Sequence, residues 1–249
     1  MDKVVLVTGG SRGIGAAVAR RAAQAGWKVA LNYHSSPGKA DAVAALIQAD
    51  GGTVETFRAD MGDPGAIEEM FAAVDKAFGR IDALVNNAGI IGAVKRVDEQ
   101  KPEDLARLWA VNLTGYVIAA QAAVKRMSTR HGGRGGVIVN LSSIAARTGG
   151  MPGMVPYALT KGGIDSFTIG LAREVGREGI RVVAVRPGLI DTEIHEIYGK
   201  GDAFRAAAES VPCAGRAGTA AEVAEAVVWL MSDQASYVSA TTLDVSSGR

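Results

Sequence analysis

Residues 4–15 read Val-Val-Leu-Val-Thr-Gly-Gly-Ser-Arg-Gly-Ile-Gly, an apolar run that leads directly into a glycine-rich turn. The run is apolar throughout, which is typical of a strand buried on both faces of a sheet. An Ala-rich segment follows the turn and favours a helix. In this position the glycines let the backbone approach a phosphate, and the helix N-terminus offers it free N–H groups. The stretch therefore predicts a dinucleotide-binding turn rather than a plain tight turn.

The alternation of apolar runs and amphipathic segments continues along the chain. The predicted strands are Val4–Val7, Lys28–Leu31, Thr53–Phe57, Ala83–Val85, Gly136–Leu141, Arg181–Val185 and Thr241–Val245. The predicted helices are 13–25, 38–50, 64–78, 102–128, 156–178 and 219–232. This order predicts an α/β fold in one domain over residues 1–249, with a doubly wound parallel sheet of about seven strands and helices on both faces. A ligand is expected at the carboxyl ends of the strands.

Two of these helices carry start signals in the sequence. Asp63 precedes Pro64, which predicts an N-cap followed by proline in the first turn. Thr219 and Glu222 have the spacing of a capping box.

Composition excludes several classes of protein. Hydrophobic residues make up 48% and charged residues 21% of the 249 residues, so a large core is possible and disorder is not expected. The net charge of +1 gives no basic surplus for nucleic acid. Cys213 is the only cysteine, so no intrachain disulfide can form, and it has no metal-ligand spacing around it. No signal-peptide pattern or apolar run of about 18 residues occurs, so we expect a cytoplasmic protein without a membrane span.

Tyr157 and Lys161 are one helical turn apart, so their side chains project from the same helix face. A positive charge beside a phenol can lower the phenol pKa by roughly 1–3 units from about 10. Ser143 precedes the pair and could hydrogen-bond a substrate oxygen. The three residues suggest acid–base chemistry on a carbonyl or alcohol. A Tyr-Lys pair at this spacing is, taken alone, more often a solvated helix face than a catalytic pair, because isolated motifs are weak.

Three further motifs supply the context for that pair. Asn86-Asn87-Ala88-Gly89 follows the fourth strand, Asn112 lies on the next helix, and Pro187-Gly188 follows the sixth strand. Together with the glycine turn, Ser143, Tyr157 and Lys161, they resemble the short-chain dehydrogenase/reductase family over nearly the whole chain, from Val4 to Gly248. The resemblance implies a Rossmann-like fold, a nicotinamide cofactor and a homotetramer with interfaces on the helices 102–128 and 156–178 and on the last helix and strand.

The resemblance also implies roles for individual residues. Tyr157 would be the general acid in reduction and the base in oxidation, and Lys161 would assist it and hold the nicotinamide ribose. Ser143 would orient the substrate oxygen, and Asn112 would support a water-linked proton relay. Asn86 would support the sheet. The cofactor would be bound by Gly9, Ser11, Gly13, Ile14, Gly15, Asp60, Met61, Asn87, Ala88, Gly89, Tyr157, Lys161, Pro187, Gly188, Ile190 and Thr192.

The sequence departs from the family pattern at two places. The gap between Ser143 and Tyr157 is one residue longer than usual, and the glycine- and proline-rich loop Ile144–Pro156 can absorb the extra residue. Ser142 is the rival for the role of Ser143. Ser239-Ala240-Thr241 also lacks a glycine that relatives commonly carry, which would affect packing or subunit contacts more than chemistry.

The end of the second strand predicts NADP(H) rather than NAD(H). NAD-specific relatives carry an acidic residue there, whereas this chain reads Leu31-Asn32-Tyr33-His34-Ser35-Ser36 and has no carboxylate before Asp41. Arg12 in the glycine turn is the expected partner for a 2′-phosphate, unless it is only a solvated surface charge. Lesser candidates for that phosphate are Asn32, His34, Ser35 and Lys39.

The segment around residues 188–217 is predicted to form a substrate lid. Its candidate pocket residues are Ile190, Thr192, Ile194, His195, Ile197, Tyr198 and Phe204. His195 is a weaker candidate for catalysis, because Tyr157 already supplies the proton. Met151, Met154 and Val155 would form the opposite wall. Possible activities are those of a 3-oxoacyl-thioester reductase or a sugar dehydrogenase, and the alternative is a dinucleotide-sensing protein without turnover.

Overall fold

The computed structural model describes residues 3–193 and 207–249 and has a seven-stranded parallel sheet at its centre. The strands are β1 Val4–Val7, β2 Lys28–Tyr33, β3 Val54–Arg58, β4 Ala83–Asn86, β5 Gly136–Leu141, β6 Ile180–Pro187 and β9 Thr241–Val245. Their spatial order is β3-β2-β1-β4-β5-β6-β9, with every neighbouring pair parallel. The predicted doubly wound α/β fold is therefore confirmed. The order reverses between β1 and β4, where a ligand crevice is expected.

The predicted helices are present, and one of them is divided. The α-helices are α1 Gly13–Gln24, α2 Pro37–Ala49, α3 Pro64–Phe78, α4 Pro102–Trp109, α5 Gly115–Met127, α6 Ala145–Thr148, α7 Val155–Val175 and α8 Ala220–Met231. The single helix predicted over 102–128 was wrong in one respect, because a five-residue π segment, Ala110–Thr114, separates α4 from α5. The short helix α6 falls in the segment that the sequence predicted as a loop. Both predicted start signals are confirmed: Asp63 accepts hydrogen bonds from two backbone amides of α3, and Thr219 and Glu222 form the capping box of α8.

Strand side chains alternate between two cores on opposite faces of the sheet. In β1, Val5 and Val7 pack with α1, α2 and α8, whereas Leu6 packs with α3, α5 and α7. Ala83 and Leu84 of β4 divide between the two cores in the same way. This alternation follows from the two-residue period of a strand and explains why the strands read as apolar throughout.

A second, two-stranded parallel sheet lies beside the carboxyl edge. It pairs β7 Ile190–Asp191 with β8 Gly218–Thr219, the two ends of the predicted lid segment. The predicted lid residues Ile194, His195, Ile197, Tyr198 and Phe204 lie outside the described residues. In the two described ranges, no helix is both long enough and apolar enough to cross a membrane.

A buried chain of polar side chains joins β4, β5 and α7. Asn86 Nδ2 donates to Asn140 Oδ1 at 3.1 Å, and Asn140 Nδ2 donates to Thr168 Oγ1 at 3.0 Å. Thr168 in turn donates to the carbonyl of Ile164 within α7. All three polar side chains are fully buried, so each hydrogen bond replaces one that water would otherwise provide. This series of hydrogen bonds fixes α7 against the middle of the sheet.

Replacing Thr168 with valine should destabilise the protein by about 1–3 kcal/mol, because Asn140 Nδ2 would be left buried without an acceptor. Urea unfolding at constant m-value measures the change. Thr53→Val at the exposed position just before β3 is the matched control, and it should change stability by less than about 0.5 kcal/mol. Equal changes in the free energy of unfolding of the two variants would show that the buried hydrogen bonds do not contribute to stability.

Candidate active site

A cleft of about 570 Å³ opens at the carboxyl ends of the central strands. That volume is within the range typical of small-molecule sites. The predicted site residues in its wall are Gly9, Ser11, Arg12, Gly13, Ile14, Gly15, Asn32, His34, Ser35, Asp60, Met61, Asn87, Ala88, Gly89, Ser143, Tyr157, Lys161, Pro187, Gly188, Ile190 and Thr192. The structure thus brings residues from the whole length of the chain to one cleft, as the parallel sheet predicted. Asn112 and Lys39 are not part of the wall.

The glycine turn between β1 and α1 has the shape of a phosphate cradle. Gly9 and Gly13 have positive φ angles of 64° and 53°, a conformation that side chains disfavour. A Cβ atom on Gly15 would lie 2.4 Å from the Gly9 carbonyl oxygen, so only glycine fits there. Arg12 precedes α1 without capping it, which leaves the first amides of the helix available to a ligand. The turn fits the phosphates of a dinucleotide.

Three polar side chains, buried or partly buried, hold this turn against the neighbouring strands. Thr8 Oγ1 accepts from the backbone amides of Asn87 and Ala88 at 2.9 and 3.0 Å. Asn87 Nδ2 donates to the carbonyls of Thr8 and Gly9. Asn32 Oδ1 accepts from Gly9 N, and its Nδ2 donates to three backbone carbonyls. Asn32 was a candidate to bind the cofactor phosphate. Its side-chain oxygen and nitrogen instead bond to the backbone and support the glycine turn.

Asp60 lies at the β2–β3 end of the cleft in an ion pair that the sequence did not predict. Arg107 donates two hydrogen bonds to its carboxylate, at 2.9 and 3.0 Å, and the Gly62 amide donates a third. Partial burial alone would raise the pKa of Asp60, but these hydrogen bonds and the charge of Arg107 hold that pKa below its usual value. His34 Nε2 lies 3.7 Å from the same carboxylate, close enough for attraction when the imidazole is protonated.

The cationic candidates for a 2′-phosphate have different surroundings. Arg12 lies in the cleft wall, partly buried, and within the described ranges it makes no ion pair. Lys39 near the start of α2 instead pairs with Glu193, which follows β7. Arg12 is therefore available to a ligand, whereas Lys39 would first have to leave Glu193.

Lys161 is buried among aromatic and carbonyl groups at the centre of the cleft. It is 4% exposed, and its Nζ donates to the Leu141 carbonyl at 2.6 Å. The ammonium lies 5.7 Å from the centre of the Tyr157 ring and 5.3 Å from that of Tyr116. Burial lowers the pKa of Lys161 from 10.5 to about 8, opposed by the charge of Asp165. Both members of the predicted Tyr-Lys pair lie on α7 and are in contact with the cleft.

Tyr116 lies behind the cleft wall and contacts this lysine. Its hydroxyl donates to the same Leu141 carbonyl at 3.1 Å, so one oxygen accepts from both residues. Burial raises the pKa of Tyr116, with a smaller contribution from Tyr157, so its phenol stays neutral. No sequence motif singled out Tyr116.

The two serines after β5 have different environments. Ser142 is buried, and its hydroxyl donates to the Lys161 carbonyl at 3.1 Å. Ser143 is half-buried in the cleft wall, where its Oγ accepts from the Ala145 amide at 3.1 Å and keeps its own proton for donation. Ser143 is therefore the serine with a hydroxyl directed to a ligand.

Asn112 lies behind the cleft wall, fully buried in the π segment. Its side chain exchanges two hydrogen bonds with the Ile90 backbone, both at 2.9 Å, and donates to Thr160 Oγ1 on α7. It thereby ties the loop after β4 to the helix that carries Tyr157. π segments inside α-helices are frequent at functional sites.

The remaining walls come from the segments after β6 and before α7. Thr192 covers the glycine turn, since a Cβ atom on Gly13 would lie 3.6 Å from the Thr192 side chain. Met151 and Met154 line the opposite side as predicted, whereas Val155 is exposed and outside the wall. Sequence reasoning missed Arg107, Ile144, Glu193 and Arg249, which also line the cleft. Within the described part of the chain, no three His, Cys, Asp and Glu side chains come together as a metal ion would require.

Comparison with known proteins gives matches over the whole chain. A family model described as enoyl-(acyl carrier protein) reductase matches residues 9–249. The uncharacterized oxidoreductase YgfF of Escherichia coli is 44% identical over 99% of both chains. The 3-oxoacyl-[acyl-carrier-protein] reductase FabG of Staphylococcus aureus is 36% identical, covering 100% of this chain and 98% of its own. A short chain dehydrogenase from Burkholderia cenocepacia, solved in complex with NADP, has a TM-score of 0.89 and 36% identity over 99% of this chain and 97% of its own.

The buried lysine predicts a pH-dependent stability in the absence of cofactor. Folded Lys161 loses its proton near pH 8, whereas the unfolded chain keeps it to about 10.5, so the unfolded state binds more protons in between. The free energy of unfolding should therefore gain a contribution that rises from pH 8 to 10. Its size is on the order of 3 kcal/mol at most, since one pKa unit corresponds to about 1.4 kcal/mol.

Lys161→Met should remove this rise, measured by urea unfolding at a series of pH values for wild type and variant. The difference between the two proteins cancels the titration of the other groups. Lys76→Met on the exposed face of α3 serves as control and should keep the wild-type slope. Identical slopes for Lys161→Met and wild type would contradict the prediction.

Proposed function

The chain belongs to the short-chain dehydrogenase/reductase family and is an oxidoreductase, and from that premise we propose that it interconverts a carbonyl and an alcohol with NADP(H). The observation that carries the proposal is the buried Lys161 ammonium beside the Tyr157 ring, in a cleft that also contains Ser143. The bound nicotinamide would supply or accept the hydride. The protein would supply the proton and the positions of the reactants.

Tyr157 would give its phenolic proton to the substrate oxygen in reduction and take it back in oxidation. A protonated Lys161 next to the ring stabilises the phenolate that remains after the proton has left. The Leu141 carbonyl holds the lysine in place without neutralising it. General acid–base catalysis of this kind typically contributes about 10²–10⁴ in rate.

Ser143 and Asn112 would assist from two directions. The Ser143 hydroxyl can donate to the substrate oxygen and fix it near Tyr157, because its Oγ already accepts from Ala145. Asn112 holds the Ile90 backbone and Thr160, and in this arrangement it would position the groups of a proton relay from behind the wall.

The part of the cleft that would hold the adenosine of the cofactor suits NADP(H) better than NAD(H). The segment after β2 contains His34 and Ser35 in the cleft wall and no carboxylate. Asp60 is engaged by Arg107, so its charge is largely compensated. Arg12 is the available cation, and its guanidinium can bind a 2′-phosphate through two parallel hydrogen bonds. The Burkholderia relative was solved in complex with NADP, which supports NADP(H) as the cofactor proposed here.

The relatives do not narrow the substrate to one compound. The Staphylococcus relative is named for reduction of a 3-oxoacyl thioester, which keeps that class as a candidate beside sugars. A sensor that binds the dinucleotide without turnover is the alternative from another class, and retention of Asn112, Ser143, Tyr157 and Lys161 together speaks against it.

A homotetramer is the proposed assembly. Large apolar side chains are exposed on the two faces that the resemblance assigns to interfaces: Val117 on α5, Leu159 and Ile169 on α7, Trp229 on α8 and Leu243 on β9. Contact between copies would remove this apolar surface from water.

Tyr157→Phe should lower kcat by about 10²–10⁴ with little change in cofactor affinity, because it removes only the hydroxyl that transfers the proton. NADPH consumption measures turnover, and cofactor fluorescence titration measures binding. Tyr237→Phe is the matched control, since Tyr237 is fully exposed. Full activity of Tyr157→Phe would disprove the role, and absence of turnover in wild type across ketones, sugars and acyl thioesters would favour the sensor.

Arg12→Ala should raise the KM for NADPH by roughly 10- to 100-fold and leave the KM for NADH nearly unchanged, because only NADPH carries the phosphate that the guanidinium would bind. Steady-state kinetics with both cofactors measures the effect. Arg173→Ala, at an exposed position of α7, should change neither value. A wild-type preference for NADH, or equal losses with both cofactors, would refute the assignment.

A further inference from the structure

The segment Ser246–Arg249 follows β9 and turns back over the carboxyl edge of the sheet. Ser247 and Gly248 both have positive φ angles, 52° and 86°. The Arg249 amide donates to the Ser246 carbonyl, and Ser246 Oγ donates to the Arg249 carbonyl, so the turn is closed by two hydrogen bonds. A serine in the left-handed region costs conformational energy, and such conformations persist only where the surroundings enforce them.

The segment that precedes β8 packs against this turn and holds it in place. The Cys213 amide donates to the Ser247 carbonyl at 3.2 Å. Gly248 packs so closely on Cys213 that an added Cβ atom would lie 2.7 Å from its sulfur. The position of Arg249 is therefore set by tertiary contacts and not by the turn alone.

Strand order places Arg249 at the substrate end of the cleft. β9 is the edge strand beside β6, and Val245 is aligned with Pro187. On its other side β6 pairs with β5, and Ser143 lies just beyond the carboxyl end of β5. The glycine turn and Arg12 lie after β1, on the far side of β4 and β5 from this edge. Arg249 shares the cleft wall with Ser143 and Tyr157, and the strand order puts β4, β5 and β6 between its strand and the one that carries Arg12.

The guanidinium of Arg249 has an unused donor in this wall. Its Nη1 is shielded from solvent and has no hydrogen-bond partner among the residues that the structure describes. Asp244 is the carboxylate on the adjoining strand, and it is engaged by Arg147 and Arg186. Since the described residues give the Arg249 side chain no hydrogen bond or ion pair, the exposed part of its guanidinium in the cleft wall is free to bind an oxyanion.

We propose that Arg249 determines substrate specificity by binding an oxyanion of the substrate, a carboxylate or a phosphate, at the end of the molecule remote from the reacting carbonyl. The inference rests on the proposed function and adds a substrate class to it: oxo or hydroxy compounds that carry a negative charge. Arginine suits this role because its planar guanidinium binds carboxylate and phosphate through paired hydrogen bonds. A neutral ketone would leave the guanidinium without a partner.

The test compares wild type with Arg249→Gln and Arg249→Lys on matched pairs of substrates, following NADPH consumption. Levulinate against its ethyl ester examines a carboxylate, and dihydroxyacetone phosphate against dihydroxyacetone examines a phosphate. Wild type should prefer the charged member of at least one pair, and the preferred pair identifies the anion. Arg249→Gln should lower kcat/KM for that charged member by roughly 10- to 100-fold, with less than about threefold change for the neutral one. Arg249→Lys should recover part of the loss, and Arg173→Gln should behave as wild type.

A second measurement separates this inference from the proposed function. Calorimetric titration of levulinate and dihydroxyacetone phosphate into the protein–NADP⁺ complex should show binding that Arg249→Gln abolishes. Binding of this kind without turnover of any pair would overturn the proposed function and support the role of Arg249. Turnover with equal effects of Arg249→Gln on charged and neutral members, or an effect on the KM for NADPH alone, would overturn the role of Arg249 and leave the function standing.

Gly248→Ala is the second variant, for the case in which Arg249→Gln does not fold. The added methyl group would displace the turn from Cys213 and should reduce the preference for the charged member while Arg249 itself is retained. Circular dichroism and Tm verify that each variant is folded. An unchanged preference in a folded Gly248→Ala protein, together with absent anion binding in wild type, would overturn the inference.

Discussion

The structure depends on satisfying the backbone groups at the edge where its parallel strands end. Beyond that edge the ladder hydrogen bonds stop, and each buried amide and carbonyl needs another partner. Threonine and asparagine side chains provide them: Thr8 and Asn87 join the turns after β1 and β4, and Asn32 supports the Gly9 amide. Since Thr8 and Asn32 are buried and Asn87 is partly buried, the loops around the cleft are held in fixed positions.

The same constraint prepares the cleft for a charged group. Burying an ammonium is unfavourable unless polar or aromatic groups surround it. Lys161 meets this requirement through the Leu141 carbonyl at the end of β5 and through the rings of Tyr116 and Tyr157. Because α7 is anchored to β5 by Thr168 and Asn140, the lysine and the tyrosine are positioned by the helix and not by flexible loops.

Local patterns predicted the elements that depend on local physics. Apolar runs gave the strands of the sheet to within a few residues, and Asp63 and Thr219 marked the helix starts where the structure has them. The π segment at Ala110–Thr114 was not predictable, because its sequence has the periodicity of the helices on either side. The Arg107–Asp60 pair was missed for a related reason: the two residues are distant in the chain, and neither carries a signal for the other.

The sequence by itself determined the fold class, the glycine turn and the set of chemical groups, because periodicity, glycine positions and the Tyr157–Lys161 spacing are properties of short segments. Only the tertiary structure decided how those groups are used. It committed Ser142 to the Lys161 carbonyl and left the Ser143 hydroxyl facing the cleft. It also brought Arg249 into the same wall, through contacts between segments far apart in the chain. The role of each side chain depends on its burial and on its hydrogen-bond partners. Those partners come from distant segments, which meet only when the strands form the sheet.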